Sequence, residues 1–429
     1  MGQYVVYGRG KTGKALCKLL AKNNLPFCTF DDSTGFDGNK SAFCKSDTVL
    51  LSPGVRPSAF GYVQCKKCGA KVVGELQYSF EQCPSKCVSV TGTNGKTTTC
   101  QLIHHVLTSC GVSSKLLGNG GVPFCSQVEN CTEQDVVVLE SSSFQLANAT
   151  NFSPYISLFT SLAVDHLDYH PTYGDYVKSK LNNFVHQRKN CYAIFNADDK
   201  EVLKLSEKSK CFTLFYSVDN VFANCYYKDL HVVVNLFGKL NQVFCPQLGE
   251  MPRHNLSNVL GAILASTLLG VDVATAVQSA TTYKFLPHRL QLVLQKNGVC
   301  FVDDSKATNV HATLSAIDAY RHQNVALILG GSDKGMQFDS LFSPQKRNVV
   351  YYCAIGQTAS AIKQCAQKYN VCVELCCDMQ QAVAKCYHAI KNIGGVVLLS
   401  NACASFDMYD DYQHRGCHFQ QVVKETMLD

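Results

Sequence analysis

The sequence predicts an α/β protein built from three domains. Its 429 residues exceed what one ordinary core organises. Short apolar runs alternate with helical stretches along most of the chain, the pattern of parallel sheets covered on both faces. Two glycine-rich turns, GRGKTG and GTNGKTT, each follow an apolar strand and open a helix. Hydrophobic content of 46% against 17% charged residues supplies packed interiors and argues against disorder. A net charge of +6 with no lysine or arginine run gives no nucleic-acid face. No apolar stretch reaches the ~18 to 20 residues of a membrane helix. MGQYVVYGRGKTG enters a strand at once, without a signal peptide's cleavage site. A cytoplasmic protein, acting as a monomer, is expected.

The chain holds 24 cysteines. In a reducing compartment these are expected to be free thiols serving as small hydrophobes. Cys65-x-x-Cys68 and Cys83-x-x-x-Cys87 approach zinc-ribbon spacing. In so cysteine-rich a chain, two close pairs arise easily by chance, and Val72 to Gln82 between them reads as a strand end and a helix.

The first domain, 1–83, opens with YVVY, the turn carrying Gly8, Gly10 and Gly13, and a helix. The spacing is G-x-G-x-x-G, and Asp31 and Asp32 end the next strand, where a ribose-binding acid would fall. This is a Rossmann-like half that can hold a diphosphate at a helix N-terminus, and it would equally suit a dehydrogenase. The central domain, 84–285, has strands CVSV, DVVVLE, YISLF and CYAIF in a P-loop ATPase-like parallel sheet. Residues 210–245, with FTLFYS, CYYKD and LHVVVNLF, read as a small antiparallel insertion. The C-terminal domain, 286–429, is again Rossmann-like, with strands GVCFVDD, NVALILGG, VVYYCAIG, VCVEL and GVVLLS.

The strongest chemical motif is Gly92-Thr93-Asn94-Gly95-Lys96-Thr97-Thr98. Successive backbone N–H groups here can cradle phosphate oxygens, Lys96 can neutralise them, and the Thr97 hydroxyl can bind Mg²⁺. The spacing is a compressed G-x-x-G-K-T-T, because Val90 occupies the first glycine position of the longer Walker pattern. Glu140 closes DVVVL, where an acid in such a sheet meets the nucleotide's magnesium. His166 in VDHLDYH follows another strand, flanked by Asp165 and Asp168, which could orient a metal-binding imidazole.

TGTNGKTTT, LESSSFQL, DHLD, YVKSKLNNF, FNADD, HNLSN, LPHRLQ, DDSKATN, LILGGSDKG and LLSNACASFDMYDDYQHRG occur in an order and spacing that resembles the Mur ligases over essentially the whole chain. DDSKATN and ACASFD are similar to the member that adds D-glutamate to UDP-N-acetylmuramoyl-L-alanine in bacterial cell-wall synthesis. The resemblance implies that Lys11, Thr12, Asp32, Ser33 and Gly54 hold the uridine diphosphate sugar, with Asn119, Ser142 and His166 reaching it from the central domain. It implies ATP at Gly92 to Thr98, with Asn255, Asn258, Arg289, Asp304 and Lys306 completing that site. Two Mg²⁺ ions would be held by Thr97, Glu140, His166 and a carbamylated Lys180, and D-glutamate by Thr308, Lys334, Ser405 and Tyr412. Lys96, Lys180, His166 and Lys306 are the implied catalytic residues. Asn401 and Tyr412 stand where the family pattern has proline and phenylalanine.

A carboxylate accepts an amine at neutral pH only once activated, so the expected course is phosphorylation to an acyl phosphate followed by attack of the amine. Positioning and charge neutralisation dominate such a transfer. A dehydrogenase leaves GTNGKTT unexplained, and an ATP-gated scaffold need not keep Glu140, His166 and Lys180 together.

Overall fold

The computed structural model describes residues 3–37, 40–167, 169–333, 335–342 and 348–428. It contains three sheets, each in a mixed α/β arrangement. The first comprises β1 (Tyr4–Tyr7), β2 (Phe27–Asp31), β3 (Gly35–Phe36), β4 (Thr48–Leu51) and β5 (Lys71–Gly74), in the order β3-β2-β1-β4-β5. Only β3 runs antiparallel. The order reverses at β1, so the turns leaving β1 and β4 face each other across the crevice where open α/β sheets bind ligands.

The second sheet comprises β6 (Lys86–Thr91), β7 (Ser114–Gly118), β8 (Val136–Glu140), β9 (Ile156–Phe159), β10 (Tyr192–Asn196), β11 (Phe212–Ser217), β12 (Cys225–Lys228), β13 (His231–Leu236) and β14 (Lys239–Phe244). Its order is β14-β13-β12-β11-β10-β9-β6-β8-β7. All five residues of β8 are buried, as both-face coverage requires of an interior parallel strand. The expected antiparallel insertion needs correction. FTLFYS pairs parallel with β10, because the helix Lys200–Ser206 supplies a crossover between them. Antiparallel pairing starts only at β12–β13, and those strands extend the main sheet.

The third sheet comprises β15 (Gln291–Lys296), β16 (Val299–Asp303), β17 (Val325–Leu329), β18 (Val349–Ala354), β19 (Glu374–Leu375) and β20 (Gly395–Leu399), ordered β15-β16-β20-β17-β18-β19. β15 is an antiparallel edge strand beyond the five strands expected from sequence; its residues are half-buried or exposed, which weakens the apolar signal. Asp378 and Asn309 cap the helices Met379–Ile390 and Val310–Ala319 by accepting from the backbone N–H three residues on. The chain divides into two compact units, one of 1–163 with 169–283 and one of 164–168 with 284–429.

Cys65 and Cys68 belong to the core on one face of the first sheet. Cys83 and Cys87 belong to a different cluster, shared with Phe124, Val137 and Phe152. Among the described residues no group of three or more histidine, cysteine or acidic side chains could hold a metal ion.

Candidate active site

The loop 92–95 leaves the C-terminal edge of β6 between its neighbours β8 and β9. Val90 is paired with Glu140 and Thr91 with Phe159, so Glu140 and the segment Thr160–Ser161 flank the loop from either side. Thr160 Oγ1 donates to the carbonyls of Thr91 (3.1 Å) and Asn94 (2.5 Å), and Asn94 N–H donates to Ser161 Oγ at 2.9 Å. Gly95 has φ +87°, and a Cβ there would lie 2.6 Å from Asn258 Oδ1, so only glycine lets the helix Arg253–Leu268 approach the loop this closely. Asn258 Oδ1 in turn accepts from Thr99 Oγ1 at 3.2 Å. Thr98 and Asn255 are buried, and Thr97 is half-buried in the first turn of the helix Lys96–Ser109.

Two lysines reach this loop from different elements. Lys96 Nζ donates to the carbonyls of Gly92 (2.9 Å) and Thr93 (2.8 Å). Lys180, on the helix Tyr173–Leu181, is 1% exposed, and its Nζ donates to the same Gly92 carbonyl at 2.6 Å. The ring of Tyr176 lies beneath that ammonium, with its centroid 4.9 Å away, and Tyr176 OH pairs with Thr93 Oγ1 at 2.8 Å. Both amino groups thus meet the loop at one carbonyl, and the Lys96 ammonium is a cation that a polyanion bound there can use.

Glu140 is buried at the end of β8. Its Oε1 accepts from Asn119 Nδ2 at 3.3 Å, and its Oε2 fills the space of the missing side chain on Gly120, 2.3 Å from where a Cβ would stand. A carboxylate and the Thr97 hydroxyl are hard oxygen donors of the kind Mg²⁺ takes. His166 lies in the second unit with φ +55°; its N–H donates to Asp165 Oδ1 at 2.8 Å, and Asn309 Nδ2 donates to Asp165 Oδ2 at 3.0 Å. Asp168, read from sequence as its other neighbour, lies outside the described residues.

A cavity of about 670 Å³ opens between the first sheet and the loops that follow β7 and β8. Lys11, Thr12, Asp32, Gly54 and Asn119, all named from sequence, line it. Lys11 Nζ donates to the Gly121 carbonyl at 2.6 Å, a link between the two sheets' loops. Asp32 is fixed by Tyr7 OH (2.5 Å) and Gly61 N–H (2.8 Å), while Ser33 donates to Asp31 Oδ1. Ser142 caps the helix Ser143–Leu146 in a reciprocal pairing with Gln145, itself a lining residue. Arg9 and Glu75 also line the cavity, and sequence reasoning passed over both. Arg9 ties down the turn after β2 through Thr29, Thr34 and Gly35. Glu75 is buried, accepts from Cys125 N–H at 2.8 Å, and has its carboxyl pushed up by that burial.

In the second unit, the C-terminal ends of β16, β20 and β17 lie side by side. Asp304 accepts from Ser400 Oγ (2.8 Å) and Leu290 N–H (3.3 Å). Burial raises its pKa from 3.8 to about 7, against the lowering effect of those bonds and of Arg289. Lys306 Nζ sits 3.9 Å from the centroid of the Tyr412 ring, a cation–π pairing of two residues assigned separately from sequence. Thr308 is half-buried and Ser405 buried, while Lys334 lies outside the described residues. Sequence reasoning missed Arg415. It is 1% exposed and donates to Ser305 Oγ (2.9 Å), Ser305 O (2.7 Å) and the carbonyls of Cys403 and Ala404. It therefore pins the loop after β16 to the loop after β20. Burial lowers its pKa to about 10, and its only visible signal was a place inside the QHRG motif.

A glycine loop with converging lysines and flanking hard oxygen donors, set in an α/β scaffold, is the apparatus of nucleotide-dependent phosphoryl chemistry. The family model described as the Mur ligase middle domain matches residues 90–266, and the one described as Mur ligase, glutamate ligase domain matches 288–403. The chain is 35% identical over 425 residues to a UDP-N-acetylmuramoylalanine--D-glutamate ligase of Aquifex aeolicus, with 98% of each chain covered. It is 32% identical over 445 residues to a protein of the same name from Thermoanaerobacter pseudethanolicus, again with 98% of each covered. Its fold is similar to that of MurF from Acinetobacter baumannii, with a TM-score of 0.61 at 16% identity, over 91% of this chain and 92% of that one. It is also similar to a pseudomurein peptide ligase type C from Methanothermus fervidus, with a TM-score of 0.60 at 15% identity, over 99% and 100%. The chain belongs to the Mur ligase family.

Proposed function

We propose that this chain is an ATP-dependent carboxylate–amine ligase that adds D-glutamate to UDP-N-acetylmuramoyl-L-alanine, in the cytoplasmic stage of bacterial peptidoglycan synthesis. The observation that carries the reading is the convergence of Lys96 and buried Lys180 on the Gly92 carbonyl, in a chain that matches ligases of that name from end to end. Among the described residues no helix is long and apolar enough to cross a membrane, in keeping with a cytoplasmic step.

The three sheets divide the work at about residues 83 and 285. The cavity lined by Lys11, Thr12, Asp32 and Gly54 takes the uridine diphosphate sugar, with Ser33, Asn119, Ser142 and His166 assisting. The loop 92–98 takes the ATP phosphates, with Asn255, Asn258, Arg289, Asp304 and Lys306 as further contacts. Thr308, Lys334, Ser405 and Tyr412 receive D-glutamate. Lys96 neutralises charge as the terminal phosphoryl group passes to the L-alanine carboxylate, and Lys306 steadies the acyl phosphate while the amine attacks and phosphate leaves. Two Mg²⁺ ions, held by Thr97, Glu140, His166 and the carbamate of Lys180, would supply charge neutralisation at the transferring phosphoryl group.

Lys96→Ala tests the assignment, because the loop and the sugar cavity lie on different elements. Phosphate release should fall on the order of 10³-fold or more. Titration calorimetry should show binding of UDP-N-acetylmuramoyl-L-alanine largely unchanged; a variant that no longer binds it would overturn the separation of the two sites.

A further inference from the structure

Outside the site described above, the second unit contains a cysteine, a histidine and an aspartate in series. His288 is 5% exposed and Asp303 fully buried, and His288 Nδ1 lies 2.6 Å from Asp303 Oδ2. The ionised carboxylate only accepts, so Nδ1 carries the proton and Nε2 presents a lone pair. Gln420 Nε2 donates to the same Asp303 oxygen at 2.7 Å and to Gln291 Oε1 at 3.2 Å, which holds the carboxylate in place. On the helix Tyr412–Leu428, Cys417 is exposed and its Sγ lies 3.9 Å from His288 Nε2. A Cβ on Gly416 would stand 2.1 Å from His288 Nδ1, so the missing side chain is what brings the helix, and Cys417 with it, against the ring.

We propose that Cys417 is a nucleophilic thiol activated by His288 and oriented through Asp303, and that it is a site of mixed-disulfide formation with low-molecular-weight disulfides. In the step, Cys417 Sγ attacks one sulfur of R–S–S–R, the protein–S–S–R bond forms, and R–S⁻ leaves. The thiol proton passes to His288 Nε2, and Asp303 stabilises the imidazolium. The disulfide is the oxidant and is reduced to one thiolate, while Cys417 is oxidised. Of the other charged groups nearby, Arg289 follows His288 in the chain and the Lys306 ammonium lies over the Tyr412 ring. Arg415 is committed to Ser305 and the 403–404 carbonyls, Asp304 to Ser400 and Leu290, and the Tyr412 ring stands edge-on to His288. His418 turns away to Tyr409 OH and to Gln380 on the helix Met379–Ile390.

Three other exposed cysteines, Cys44, Cys372 and Cys377, serve as internal standards. Cys377 is the slow reference, since Asp378, 3.2 Å from its sulfur, pushes its pKa up. The full chain is treated with 4,4′-dithiodipyridine and quenched at intervals, and each site is quantified by peptide mass spectrometry. At pH 6 Cys417 should react about tenfold faster than Cys44 and Cys372, and His288→Gln should bring it level with them. Continued protection of the buried Cys353, Cys386 and Cys403 in the same unit would show that the variant is folded. If it fails to fold, the unaltered chain decides: the advantage of Cys417 must grow as pH falls from 8 to 6. Equal rates at pH 6, an advantage independent of pH, or an advantage that survives His288→Gln would overturn the proposal.

Discussion

Lys96 and Lys180 donate to one acceptor, the carbonyl oxygen of Gly92, at 2.9 and 2.6 Å. Lys180 is buried against the Tyr176 ring, so its position is set by packing as much as by charge. A second bare ammonium there would repel the Mg²⁺ that ATP brings, whereas reaction with CO₂ turns the side chain into an anion with two hard oxygens. Lys180→Ala should therefore be inactive in ATP turnover, and short-chain carboxylic acids should restore part of the activity by filling the vacated anion position. Full activity of the variant without supplement would exclude a carbamate role. Lys178, exposed on the same helix, should tolerate alanine.

Gly120 and Glu140 give a second test. Because Glu140 Oε2 occupies the space of the absent Cβ, Gly120→Ala must displace the carboxylate. The expected outcome is a higher Mg²⁺ concentration for half-maximal turnover, by about tenfold, with the fold intact by circular dichroism. An unchanged Mg²⁺ requirement would remove Glu140 from the metal site.

Asp304 makes stability depend on pH. Its pKa in the folded chain, about 7, lies above the ordinary 3.8, so the folded state holds the proton more tightly. The stability this contributes is present in full below about pH 4 and is lost as pH rises through 7. Asp304→Asn removes the titration while keeping the shape. Its urea midpoint should gain on the parent's between pH 4 and pH 8, with the largest advantage at pH 8. Parallel pH profiles of the two midpoints would contradict the buried-carboxyl account.

Much of this was legible in the sequence because local chemistry marked it. The run from Lys86 through GTNGKTT to the helix at Lys96 carries its own strand, turn and cap signals, and Glu140 sits at the end of an all-apolar strand. What depended on distant pairing was less visible. FTLFYS has no local mark of strand direction, and only the crossover helix before it makes it parallel. β15 alternates too weakly to separate from loop. Arg415 and Glu75 act by reaching backbone groups 110 and 50 residues away, which no spacing rule exposes. Asn401, where the family pattern has proline, is fully buried with neither side-chain amide atom hydrogen-bonded, an expense of ~1–3 kcal/mol that the fold carries without a visible return.

Phosphate release reads the reaction itself. The chain is supplied with ATP, Mg²⁺ and UDP-N-acetylmuramoyl-L-alanine, and amines are added singly: D-glutamate, L-glutamate, L-alanine and diaminopimelate. Turnover is predicted with D-glutamate alone, and only when the UDP-sugar substrate is present. Equal turnover with any of the other three, or release that is indifferent to the UDP-sugar, would contradict it.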